Sequence, residues 1–149
     1  MKKIFLISIF YIFFFCSNSF AFIEFKQSKD ISLDTTEVRG INFKPDGTIM
    51  YVTNRDPSNS NKAQVTQYSL STPFDISTAT KTSQTNLLHK NNLGVAFPHA
   101  IEFKPDGTKM FLASNNSQTS IYQYNLTTPW DSSTVVFEKR FQIGNTIES

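Results

Sequence analysis

Chemically versatile side chains are scarce in this sequence: one cysteine, two histidines, one tryptophan and five glycines among 149 residues. The single cysteine, Cys16, sits in an apolar leader, so a cut after Ala21 leaves a mature chain with no thiol. That excludes disulfides, thiol catalysis and cysteine-based zinc sites. Only His89 and His99 could serve as bases near neutral pH. Gly-x-Ser-x-Gly, His-Glu-x-x-His and a glycine-rich phosphate loop are all missing. Excess charge is lacking too. Fourteen basic residues face twelve acidic ones, and removing Lys2 and Lys3 with the leader leaves twelve of each. A neutral chain without a Lys/Arg cluster is not expected to bind nucleic acid. No stretch beyond the leader carries a 3.6-residue period, so helix is not expected there.

What is present begins with the leader. Lys2-Lys3 precede an almost unbroken apolar run, Ile4 to Cys16, and Ser19-Phe20-Ala21 places small residues at −3 and −1 of a cut. This is the layout of a secretory signal peptide over 1–21, helical, with a mature domain over 22–149. The run is shorter than the ~20 residues of a spanning helix, so membrane contact is expected only through this segment. Phe13-Phe14-Phe15 are too bulky for a lipoprotein cut at Cys16. The expected location is outside the cytoplasm, periplasmic or extracellular.

The mature chain is a duplication. Phe43-Lys44-Pro45-Asp46-Gly47-Thr48 returns sixty residues on as Phe103-Lys104-Pro105-Asp106-Gly107-Thr108. Gln67-Tyr68-Ser69-Leu70-Ser71-Thr72-Pro73-Phe74-Asp75 returns fifty-six residues on, ending Thr128-Pro129-Trp130-Asp131. Each Pro-Asp-Gly reads as a tight hairpin turn, since proline fixes φ and glycine accepts positive φ. The return strands put Met50 and Val52 on one face, Ile49 and Tyr51 on the other. Met110 and Leu112 oppose Phe111 and Ala113 in the same way, so both faces of each sheet are expected to be covered. Arg55 to Lys62 and Ser114 to Thr119 read as polar loops. Four short antiparallel strands per unit of about sixty residues describe a propeller blade. The expected fold is therefore all-β, a partial β-propeller. It has a leading outer strand at 22–33, blade one at about 38–89 and blade two at about 98–149.

Tyr51-Val52-Thr53-Asn54 after a Pro-Asp-Gly turn resembles the YVTN-type propeller repeat of exported and surface-layer proteins, and more loosely lactonase-type and WD-repeat propellers. The second copy departs from that signature, reading Phe111-Leu112-Ala113-Ser114. Propellers use about four to eight blades. Two units thus imply further blades or self-association.

The blade ends opposite the Pro-Asp-Gly turns collect Glu37, Arg39, Asn54, Arg55, Asp56, His99, Asn115 and Asn116. Arg39 and His99 hold the same repeat position and are expected to face a central channel. Two readings follow. A ligand-binding mouth for a protein or a surface glycan is one; solvated polar loops are the other. Asp46, Asp106, Asp75 and Asp131 are accounted for by turn chemistry, and Tyr68, Tyr124, Phe74 and Trp130 by packing between blades. No cofactor is implied. Calcium is the one alternative, since Asp56 to Asn61 is oxygen-rich, although it lacks the Asp spacing and terminal Glu of a dedicated calcium loop. Asn115-Asn116-Ser117 and Asn125-Leu126-Thr127 fit the glycosylation pattern. An exported, non-enzymatic binding module is the leading expectation. The alternatives are a lactonase-like hydrolase with a divalent metal near Glu37, Asn54 and Asn115, or part of a longer propeller without a function of its own.

Overall fold

The structure is a computed structural model that describes residues 25–35, 37–56, 59–89, 93–95, 97–116 and 118–143. The leader, its cut after Ala21 and the first residues of the expected leading strand lie outside them.

The described chain is all-β. Strands β1 (Val38–Phe43), β2 (Ile49–Asp56), β3 (Asn59–Leu70) and β4 (Ala79–His89) form one antiparallel sheet in chain order, and the two-residue β5 (Leu93–Gly94) joins its edge. Strands β6 (Pro98–Phe103), β7 (Lys109–Asn116), β8 (Gln118–Leu126) and β9 (Val135–Gln142) form the second. Each is a four-stranded meander, the form of a propeller blade, and the two copies of the repeat fold alike. Their registers correspond: Phe43 pairs with Met50 as Phe103 pairs with Met110, and Met50 with Tyr68 as Met110 with Tyr124.

The two repeated motifs form one device. In the first turn the Gly47 amide donates to the Lys44 carbonyl at 2.8 Å, with Gly47 at φ 73°. Asp46 closes that turn by accepting from the Thr48 amide (3.0 Å) and hydroxyl (2.6 Å). The aromatic of the later Pro-aromatic-Asp turn then lies on the glycine. A Cβ at Gly47 would come within 2.3 Å of the Phe74 ring, and one at Gly107 within 2.4 Å of the Trp130 indole. Glycine is required here for both its φ and its missing side chain. The Phe74 amide donates to the Gly47 carbonyl (3.0 Å) and the Trp130 amide to that of Gly107 (3.1 Å). Asp75 and Asp131 cap single 3-10 turns by accepting from Ser77 and Ser133. Turn chemistry thus accounts for all four repeated carboxylates.

Three expectations change. Residues 25–31 carry no strand pairing and a turn follows at 32–34, so the described part of the leading strand does not form. The segment covers β1–β4 instead: Ile31 packs against the Met50, Val52, Tyr68 and Leu70 cluster, and Asp34 accepts from the Tyr68 hydroxyl at 2.9 Å. Next, the expected polar loops at 55–62 and 114–119 are largely strand. Arg55 pairs with Ala63, Asp56 with Asn59 and Asn115 with Thr119, because ladder bonds outweigh the low strand propensity of Asn, Asp and Ser. Finally, the two return strands differ in cover. Met50 and Tyr51 are both buried, whereas Met110 is buried and Phe111 half-exposed.

Candidate functional site

At the blade ends opposite the Pro-Asp-Gly turns, β1 and β2 bring three of the expected residues together. Arg39 donates to Glu37 Oε1, and Arg55 Nη1 lies 3.4 Å from Glu37 Oε2. The strand ladder makes this meeting possible, since Val38 pairs with Asn54 and a bulge between Val38 and Gly40 turns the chain there. From the second unit Phe97 contributes its ring, with the Arg55 guanidinium 4.5 Å from its centroid. Phe97 carries a positive φ of 51°, uncommon for an aromatic residue, in the connection leading into β6. Among the described residues, two guanidiniums meet at the Glu37 carboxylate. Arg39 Nε is buried without a hydrogen-bond partner among the described residues. A planar cation on an aromatic face beside a second guanidinium suits carboxylates and other flat oxyanions.

The remaining expected residues divide. Asn54 faces inward and is fully buried. Its amide donates to Gln64 Oε1 (2.8 Å) and accepts from the Thr66 hydroxyl (3.2 Å). Gln64 continues the ladder to Asn86 (2.9 Å) and accepts from Gln84 (2.8 Å). Asn54 is therefore part of a cross-strand amide ladder and does not line a mouth. His99 is exposed, with its carbonyl against Gly40 of the first sheet. Asn115 is exposed and accepts from Thr119 in its own hairpin at 3.4 Å. Asp56 and Asn116 lie at strand ends. Of the three residues set near a metal in the hydrolase reading, Asn54 is thus committed to bonds within its own sheet. Among the described residues no group of three or more His, Asp or Glu side chains could hold a metal ion.

Sequence reading missed Phe97. A lone aromatic in a connecting segment carries no periodic signal, and its partner Arg55 lies forty-two residues away.

Of the four repeated aromatics, Tyr124 and Trp130 pack in the cluster shared by the two sheets, Tyr68 packs in the separate cluster beside Ile31, and Phe74 stays exposed. Tyr124 is buried edge-on to Phe137 (6.0 Å), and Trp130 lies 5.6 Å from Phe103, which in turn meets Tyr51 at 4.2 Å. Burial pushes the hydroxyl pKa values of Tyr51, Tyr68 and Tyr124 well above the usual tyrosine range, Tyr68 further through its bond to Asp34. All three hydroxyls stay protonated near pH 7. Comparison with protein-family models, with curated proteins and with solved structures gave no match.

Proposed function

We propose that this chain is an exported binding module of the YVTN-type propeller kind, which recognises an anionic partner, protein carboxylates or an acidic surface glycan, through the Arg39–Glu37–Arg55–Phe97 end. The observation that carries the reading is the convergence of two guanidiniums on one carboxylate beside an aromatic face. Guanidiniums offer planar, charged donors that match the geometry of a carboxylate. Export rests on the Lys2-Lys3 start, the apolar run and Ser19-Phe20-Ala21. Strand positions hold both guanidiniums, Arg39 in β1 and Arg55 in β2, which favours recognition without reshaping.

Titration calorimetry with polygalacturonate and with a poly-glutamate peptide, against neutral dextran, tests this. Binding to an anionic probe that weakens at least about tenfold in Arg39→Ala or Arg55→Ala, and declines with salt, is expected. Equal binding to dextran, or indifference to both substitutions, would refute it. Mass analysis of the secreted chain tests the export half. An N-terminus at Phe22 is expected, and a retained leader would overturn it.

A further inference from the structure

The joint between the two sheets is built from repeat positions that recur, open, at either end of the molecule. The first sheet contributes Tyr51, Val65 and Leu87, all fully buried in the shared cluster. The same repeat positions of the second sheet are Phe111, Ile121 and Ile143. Val65 is 0% exposed and Ile121 is 41% exposed. Phe111, Ile121 and Phe141, with Gln123 and Lys139, line an apolar groove of about 320 Å³ on that open face.

The other half of the joint is duplicated too. The second sheet meets the first with Ile101, Phe103 and Trp130, and their counterparts are Ile41, Phe43 and Phe74. Ile101 is 4% exposed against 54% for Ile41. The open half is already shaped: Phe43 and Phe74 lie 5.7 Å apart, as Phe103 and Trp130 lie 5.6 Å apart. The segment at 25–35 covers Met50, Tyr68 and Leu70 but leaves Val38, Ile41 and Phe74 exposed.

We propose that copies of this chain associate head to tail, the Phe111–Ile121–Phe141 face of one docking on the Ile41–Phe74 face of the next. The occupant is a second copy because the molecule already contains this contact between its own sheets, and each copy presents the tail half together with the Ile41–Phe74 part of the head half. Polar groups agree. Asn42 donates to Glu102 at 2.9 Å within the chain, and these are the same repeat position. In the assembly the Glu102 carboxylate meets Asn42 of the next copy and accepts on its other oxygen. The contact is heterologous, so it propagates into rings or filaments and never stops at a symmetric dimer. It uses sheet faces and is independent of the arginine cluster.

Sedimentation of the full chain from micromolar to millimolar concentration should show mass rising with concentration. Ile121→Asp blocks the tail half and Ile41→Asp the head half, and each variant alone should remain monomeric. Mixed together they should form a one-to-one dimer, because each retains one intact half. Circular dichroism checks the fold of each, and Ile121→Lys with Ile41→Lys supplies a second pair should an aspartate variant unfold. A monomeric parent at every concentration, self-association surviving in either variant, or no complementation on mixing would each overturn the proposal.

Discussion

Two tyrosines at one repeat position separate a satisfied buried hydroxyl from an unsatisfied one. Tyr68 donates to Asp34, whereas the Tyr124 hydroxyl is buried without a hydrogen-bond partner among the described residues. Removing a bonded hydroxyl loses the bond and leaves its acceptor short; removing an unbonded one relieves a desolvated dipole. Tyr68→Phe should therefore cost about 1–2 kcal/mol, and Tyr124→Phe should be neutral or stabilising by up to about 1 kcal/mol. Urea midpoints at pH 7 read both, and equal losses would contradict the assignment. Asp46 offers a test of sign. Its carboxylate accepts from Lys44 and Thr48, which hold its pKa down to about 2. A depressed folded value stabilises fully above the unfolded carboxylate's pKa of about 3.9, and that contribution fades as pH falls toward 2. Asp106 is depressed by the equivalent Lys104 and Thr108. The stability gap between the parent and Asp46→Asn should be constant from pH 7 to 5 and narrow below pH 4. A gap that widens on acidification would reverse the argument.

The strands show what the sequence could and could not disclose. Alternation around Met50 to Val52 and the Pro-Asp-Gly turns place β1, β2, β6 and β7 correctly, because those signals are local. The β2–β3 hairpin was opaque: Arg55 and Asp56 look like loop residues, and nothing local shows Asn54 buried until the register sets it opposite Gln64, and Gln64 opposite Asn86. Side-chain amides can run as a ladder, buried at Asn54 and Gln64 and open at Asn86, only when three strands align, and no local pattern encodes that alignment. For the candidate site, spacing found Glu37, Arg39 and Arg55 on one end but could not show the ion pairs between them or the approach of Phe97. The ladder yields its own expectation. Gln64→Leu strips a partner from the buried Asn54, while water takes its place at the exposed Gln84 and Asn86, at about 1–2 kcal/mol, more than a surface Gln change of about 0.5 kcal/mol. Thermal melts of the variant check this, and a loss under 0.5 kcal/mol would mean the amides find other partners.

Across the whole molecule the question is whether the sheets fold as one body. One cluster spans both, with Tyr51, Val65 and Leu87 from the first sheet and Ile101, Phe103, Met110 and Leu112 from the second. Directed bonds cross the joint as well: the Tyr51 hydroxyl donates to the Trp130 carbonyl at 2.6 Å, and Gln67 Oε1 accepts from the Ser132 amide and hydroxyl, each at 2.9 Å. Neither sheet can separate without exposing that cluster and stranding these polar groups, so unfolding should be cooperative across both. The sole tryptophan, Trp130, lies just beyond β8, and Leu70 is buried on the face of the first sheet that points away from the second. Leu70→Ala should cost about 2–4 kcal/mol by leaving a cavity. If the sheets are one cooperative unit, Trp130 fluorescence and far-UV circular dichroism shift together to the same lower denaturant midpoint. An unmoved fluorescence midpoint beside a shifted dichroism midpoint would mean that the second sheet stands alone, and the joint would then be too weak a template for contact between copies.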